Sequence, residues 1–219
     1  MLTLAPKHEQ RGGAPTAPSP QEIYDKIVSR PTNLARADPF TAHILACALT
    51  MALMETRTHG VDVAAAVGLD RATLDVLTRQ WIPAARDLFD VDGQAATIVR
   101  DEEEEQLHEL LTRHRTDTSP LCSWITSIVV RRAMSPSHLW QDIGLLDRSE
   151  LTRLMARWFP ALAAANVDNM KWKKFFYRQL CELEGFSLCA APTCRECGDF
   201  DACFGQEDGE SALARLSRR

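Results

Sequence analysis

Four of the chain's seven cysteines lie within fifteen residues near its carboxyl end. The stretch CAAPTCRECGDFDAC runs from Cys189 to Cys203, and its cysteines are spaced C-x4-C-x2-C-x5-C. Thiolates are strong ligands for iron in iron–sulfur clusters, for zinc and for copper(I). A C-x-x-C turn brings two sulfurs onto one metal or onto adjacent metals. The spacing therefore predicts one compact metal centre with Cys189, Cys194, Cys197 and Cys203 as its ligands.

The spacing favours an iron–sulfur cluster over a zinc ion, and it leaves both open. The first three cysteines have the C-x4-C-x2-C spacing of plant-type two-iron ferredoxins, but the fourth follows after only five intervening residues. Structural zinc sites more often combine two separated pairs of ligands. Because all four cysteines here are local, a single cluster fits the pattern better.

Two disulfides are the alternative to a metal centre. They require an oxidising compartment. The first residues, MLTLAPKHEQRGG, lack the apolar core of a secretory signal, and seven is an odd number of cysteines. We therefore expect a reducing, cytoplasmic setting in which the thiols remain available as ligands.

Composition and motifs narrow the function classes. A net charge of −5 gives no global attraction to nucleic acid or to anionic membranes. The most apolar stretch, Ala42–Met54, is too short to cross a bilayer and predicts a buried helix. The sequence has no Gly-rich phosphate loop, no nucleophile elbow and no HExxH motif. We therefore expect neither an enzyme nor a protein that binds nucleic acid or membrane.

Helical periodicity and helix-capping residues recur along the chain and predict an all-α fold. Two stretches also match each other. DRATLDVLTRQWIPA, from Asp70, and DRSELTRLMARWFPA, from Asp147, are identical at seven of fifteen positions. Each follows a short helix that ends in Gly-Leu and, before it, a long apolar helix. We therefore predict two similar helical units that pack into one bundle-like core, followed by a helix and a cysteine-rich metal-binding loop.

The predicted organisation has four parts. The parts are a disordered tail (1–19), a helical domain (20–165, with units 20–90 and 97–165), a basic aromatic helix with the cysteine loop (166–205), and a disordered tail (206–219).

The acidic run Asp101–Glu105 is interpreted as a solvated helix start that complements the helix dipole.

Other thiols and imidazoles are weaker candidate ligands. Cys47 and Cys122 lie in apolar helices, where a buried structural thiol is the default. His114 and His138 lie on or beside predicted buried stripes, and Cys181 lies two helical turns before the cysteine stretch; we expect packing roles for all three. Each nevertheless remains open as an additional ligand to the cysteine centre.

The stretch MKWKKFFYRQLCELEGFSLCAAPTCRECGDFDACFG, residues 170–205, resembles the signature of the NifQ family of nitrogen-fixation proteins. HLWQDIGL, from His138, and WFP, from Trp158, also resemble segments of that family. The resemblance covers about residues 97–205 closely and the amino-terminal half more loosely.

The resemblance implies a function that the spacing alone does not. Cys189, Cys194, Cys197 and Cys203 would hold an iron–sulfur cluster that also contains molybdenum. The protein would receive molybdate or a molybdenum–sulfur species. It would donate molybdenum for the iron–molybdenum cofactor of nitrogenase, and its partners would be cofactor-assembly proteins, namely a scaffold and the iron protein. An iron–sulfur redox, sensor or regulatory protein and a structural zinc-binding interaction module are the alternatives.

Overall fold

The computed structural model describes residues 17–28, 38–89, 98–183, 200–207 and 209–217. Every regular element in these ranges is a helix, so the predicted all-α class is confirmed for them. A 3₁₀ helix (Pro83–Leu88) follows α4. The α-helices are α1 (Pro20–Val28), α2 (Pro39–His59), α3 (Val63–Val67), α4 (Arg71–Trp81), α5 (Glu102–Arg113), α6 (Pro120–Ala133), α7 (Leu139–Ile143), α8 (Arg148–Trp158), α9 (Pro160–Ala165), α10 (Trp172–Leu183), α11 (Phe200–Phe204) and α12 (Ala212–Ser217).

The helices begin where side chains can accept hydrogen bonds from the first free backbone N–H groups. Asp70 accepts from the backbone of Thr73, 2.7 Å away, and starts α4. Asp101 accepts from the backbone of Glu104 at 2.8 Å and starts α5. The predicted tail 1–19 lies largely outside the described residues.

Helix α2 is the central core helix. It is long and apolar enough to span a membrane by length and composition alone, but 67% of its most apolar window is buried inside the protein. Its buried residues, which extend from Phe40 to Leu53, lie on all sides of the helix. A helix that is apolar all round belongs in a core, which agrees with the prediction of a buried helix over Ala42–Met54.

Two glycines bring the short helices against the long ones. Gly68 ends α3 with φ +81°, and a Cβ added there would lie 2.7 Å from the carbonyl oxygen of Ser127 in α6. Gly144 ends α7 with φ +88°, and its added Cβ would lie 2.9 Å from the Cγ atom of Met51 in α2. Helix α3 therefore ends against the long helix α6, and helix α7 ends against the long helix α2. The division into two packed copies, 20–90 and 97–165, stays a prediction.

Buried ion pairs connect α2, α5 and α6. Arg132, 3% exposed, donates to the Glu55 carboxylate at 2.8 Å and to the carbonyl oxygen of Ala66. Arg131 lies 3.1 Å from the Glu104 carboxylate, which is 2% exposed. Burial raises the pKa of Glu104, and the nearby Arg131 opposes that shift. The interpretation of the whole acidic run as solvated is therefore wrong for Glu104, which faces inward.

Replacing Gly68 by Ala should destabilise the protein more than replacing Gly60 by Ala. Both glycines have positive φ, so both variants incur the left-handed cost of about 1–2 kcal/mol. A Cβ at position 60 meets nothing within 4 Å, whereas one at position 68 meets α6. Overpacking should add about 1–3 kcal/mol at position 68. Urea unfolding of both variants measures the difference, and equal losses would contradict the close packing of α3 on α6.

Candidate metal centre

Helix α10 leads into the cysteine-rich stretch. It buries Trp172, Phe175 and Phe176 against the helical body. Leu183, in the last turn, is 60% exposed, so the buried face does not continue to the end of the helix. The aromatic residues therefore attach the first half of α10 to the core.

A hydrogen-bonded turn fixes the start of α10. The Asn166 side chain accepts from the backbone N–H of Met170 and donates to its carbonyl oxygen, both at 2.9 Å. Asn169 adopts a left-handed conformation with φ 52°, which asparagine tolerates better than most residues. The turn thereby sets the position of Lys171, the residue before the helix.

Lys171 joins the start of α10 to the last residues of the cysteine-rich stretch. Its backbone N–H donates to the carbonyl oxygen of Cys203 at 2.8 Å, and its Nζ donates to the carbonyl oxygen of Asp201 at 2.9 Å. Cys203 therefore lies beside the start of α10, whereas the chain leaves that helix at its other end, about 18 Å away for twelve residues. A centre that includes Cys203 must lie near the start of α10.

Cys203 is the one predicted ligand within the described ranges. It is partly buried and packs against the hydrophobic core. Cys189, Cys194 and Cys197 fall in residues 184–199, outside those ranges, so their assignment stays a prediction. Among the described residues, no group of three or more His, Cys, Asp or Glu side chains is arranged to hold a metal ion. A centre at Cys203 would therefore depend on the other three cysteines of the motif.

The remaining described thiols have the surroundings of structural residues. Cys47 and Cys122 are 1% and 0% exposed, as predicted. The Sγ atom of Cys47 lies 3.7 Å from the His43 ring, and burial raises the pKa of its thiol. A thiol that resists ionisation is a poor metal ligand. Cys181 is partly exposed on α10.

The two candidate histidines differ in their surroundings. His114 Nδ1 lies 2.8 Å from the carbonyl oxygen of Leu110, so that nitrogen donates a hydrogen bond within the chain. His138 lies just before α7, and its Nδ1 is 3.5 Å from the Glu207 carboxylate. His114 therefore has a local structural role, whereas His138 faces the segment that follows Cys203.

The basic side chains of α10 differ in their exposure and in their contacts within the protein. Lys173 Nζ lies 2.7 Å from the Asp142 carboxylate and also donates to the carbonyl oxygen of Ser135. Lys174 is exposed, and Arg178 lies 2.9 Å from Glu182 on the same helix. Lys173 therefore connects α10 to the body, and binding of an anionic cargo would fall to the more exposed cations.

The segment after the cysteines is attached to the helical body. Gln141 Nε2 donates to the carbonyl oxygen of Glu210 at 3.2 Å, and Ser211 is 5% exposed. Helix α12 packs against α1, α2 and α7. The expectation of a disordered tail at 206–219 therefore does not hold for the described part of that tail. These contacts could not be predicted from the polar composition of the tail, because their partners lie far away in the sequence.

Comparison with known proteins shows which family the chain belongs to. The family model described as NifQ matches residues 44–205. This chain belongs to the NifQ family. The match confirms the resemblance seen in the cysteine motif and extends it into the amino-terminal half. No solved structure matches the chain.

Relatives of the chain carry the same family name. "Protein NifQ homolog" of Sinorhizobium fredii (strain NBRC 101917 / NGR234) is 41% identical over 196 residues, which cover 87% of this chain and 82% of the relative. "Protein NifQ" of Rhodobacter capsulatus is 36% identical over 166 residues, covering 76% of this chain and 91% of the relative. "Protein NifQ" of Azotobacter vinelandii is 38% identical over 151 residues, covering 69% of this chain and 72% of the relative.

Replacing Lys173 by Ala should lower the free energy of unfolding by about 3 kcal/mol at neutral pH, because the Asp142 carboxylate would remain buried without its partner. The matched control, Lys174→Ala, removes an exposed charge and should cost little. Asp142 and Lys173 are only 8% and 18% exposed, which makes the comparison informative.

The loss should depend on pH in a defined direction. Burial already raises the pKa of Asp142, and removal of Lys173 raises it further. The folded variant would then bind a proton more tightly than the unfolded chain, so its stability is restored as pH falls through the raised pKa and is lost as pH rises. Unfolding measured from neutral pH downward should show the gap in stability between the two variants narrowing as Asp142 takes up a proton. A constant gap would contradict this account of Asp142.

Proposed function

We propose that this protein binds a molybdenum–iron–sulfur cluster through its four-cysteine motif and donates molybdenum for the iron–molybdenum cofactor of nitrogenase. NifQ proteins are involved in nitrogen fixation and molybdenum processing, and this chain is one of them. The observation that carries the finer proposal is the C-x4-C-x2-C-x5-C motif inside the family match, with its last cysteine fastened beside the start of α10.

The donor set suits such a cargo. Cys189, Cys194, Cys197 and Cys203 offer four thiolates, the ligands that iron–sulfur clusters use. Three thiolates can hold three irons at the corners of a cubane, and molybdenum can occupy the fourth corner. The cluster is then the cargo of the protein, and the remaining ligand can come from the fourth cysteine or from the incoming molybdenum species.

A donor must also be able to release what it holds. Cys203 is only partly buried, which supports ligand exchange at the protein surface. On transfer, each thiolate that leaves a metal is replaced by a ligand of the acceptor, and the released thiolate takes up a proton. This exchange requires no net gain or loss of electrons. The protein therefore acts as a carrier in this proposal, and no enzymatic reaction is assigned to it.

The proposed partners follow from the proposed cargo. Molybdate or a molybdenum–sulfur species would supply the metal, and the cofactor-assembly proteins of nitrogenase, a scaffold and the iron protein, would receive it. Thiolates and sulfide are stable as ligands in a reducing environment, so we place the protein in the cytoplasm.

Elemental analysis of the protein purified without oxygen, from cells grown with ample iron and molybdate, tests the proposal directly. We expect iron and molybdenum together, with the brown colour of sulfur-to-iron charge transfer. Iron without molybdenum would instead support a redox or sensor protein, and zinc alone a structural zinc site. A colourless protein free of iron and molybdenum would overturn the proposal.

Replacing Cys194 by Ala should abolish cluster binding and leave the helical content nearly unchanged, because the described helices pack on one another through their own buried residues. Cys181→Ala is the matched control, since it removes a nearby thiol outside the motif. Iron and molybdenum content, together with circular dichroism, measures both effects. A Cys194→Ala protein with its full metal load would show that the motif is not the site, and loss in Cys181→Ala would make Cys181 a ligand.

A further inference from the structure

Arg71 and Arg148 occupy equivalent places in two similar helical turns. Each is the first residue of an eleven-residue helix and directly follows an aspartate, Asp70 or Asp147, whose side chain caps that helix. The preceding short helix ends in both cases at a left-handed glycine. The two arginine side chains are also equally exposed, at 20% and 21%. The surroundings of the two guanidinium groups can therefore be compared directly.

The carboxylate that faces each arginine comes from a different part of the chain. Arg71 pairs with Asp62, the residue that caps the preceding short helix α3. The corresponding cap of α7 is His138, which has no carboxylate. Glu207 supplies it instead: its Oε1 lies 3.1 Å from Arg148 Nη1 and 3.5 Å from His138 Nδ1. In the second turn the carboxylate therefore comes from the segment after the cysteines, whereas in the first turn it comes from the cap of the preceding short helix.

Loss of this pairing would be costly. The Glu207 side chain is only 4% exposed, so removing its cationic partner would leave a buried carboxylate without compensation, which is strongly unfavourable. Arg148 also donates to the carbonyl oxygens of Asn169 and Met170, at 2.8 and 2.9 Å. One guanidinium therefore connects the turn before α10 with the segment that follows Cys203.

We propose that Arg148 and His138 form a socket for Glu207, and that this socket positions Cys203 for the cargo. The inference rests on the proposed function for its cargo, but the socket itself is defined by described residues. Glu207 lies four residues after Cys203, whose carbonyl oxygen is bound by Lys171. The two attachments hold the short segment at two points, and the socket provides the one that pairs opposite charges.

His138→Asp is the most informative variant, because it recreates in the second turn the acid that Asp62 provides in the first. The new carboxylate should pair with Arg148 and repel Glu207. Aspartate is a preferred helix cap, so the fold should keep its stability. Iron and molybdenum loaded without oxygen should be lost to an iron chelator at least about tenfold faster than from the unchanged protein, as followed by the visible absorption of the cluster.

Two controls separate the socket from other roles of His138. His138→Asn removes the imidazole contact without adding a charge and leaves Arg148 in place, so the cargo should be lost faster than from the unchanged protein but more slowly than from His138→Asp. Glu207→Gln should reproduce the fast loss, and the double variant His138→Asp/Glu207→Gln should be no faster than either single variant. Asp62→Asn, in the first turn, should leave the rate of cargo loss unchanged.

The outcomes decide between the alternatives. Slow loss from His138→Asp would overturn the socket, and loss from His138→Asn as fast as from His138→Asp would overturn the role given to charge in it. Hydrogen exchange of residues 200–207 in protein without metal gives an independent test, with faster exchange expected in His138→Asp than in His138→Asn. If the unchanged protein binds no metal, the proposed function fails, and this exchange comparison still supports or overturns the socket.

Discussion

The close approach of the short helices to the long ones is the constraint on which the remaining structure depends. Gly68 and Gly144 leave no room for a Cβ and adopt backbone conformations that other residues avoid. Through them, α3 rests on α6 and α7 rests on α2. Because α7 is fixed in this way, His138 and Arg148, which lie just before and just after it, are held at a defined place on the body.

The sequence predicted those parts of the structure whose signals are local. Capping aspartates, helix-starting prolines and glycines at helix ends mark helices in a sequence, because each acts on neighbouring backbone groups. Glu104 and Glu207 could not be interpreted in this way. Their roles depend on Arg131 and Arg148, which lie far away in the sequence, and a carboxylate looks the same in a sequence whether it is solvated or buried beside a cation.

The candidate site likewise has one part that could be predicted from local sequence and another part that could not. The four cysteines are close in sequence, so their motif predicted a metal centre and the NifQ family without any structure. The supports around Cys203 were not predictable, since Lys171, Arg148 and Glu207 converge from three separate segments. The matching Arg71 and Arg148 were the one available clue, because an arginine repeated in two similar helices suggests a shared structural task.

The position of the socket also bears on the order in which the chain is made. Proteins emerge from the ribosome amino terminus first, and early segments can fold while later ones are still being synthesised. Arg148 and His138 belong to the helical body, whereas Glu207 follows the cysteines. The body can thus present a finished docking point before the segment that fills it has been translated, so that attachment of the cysteine-bearing region becomes a late step in maturation.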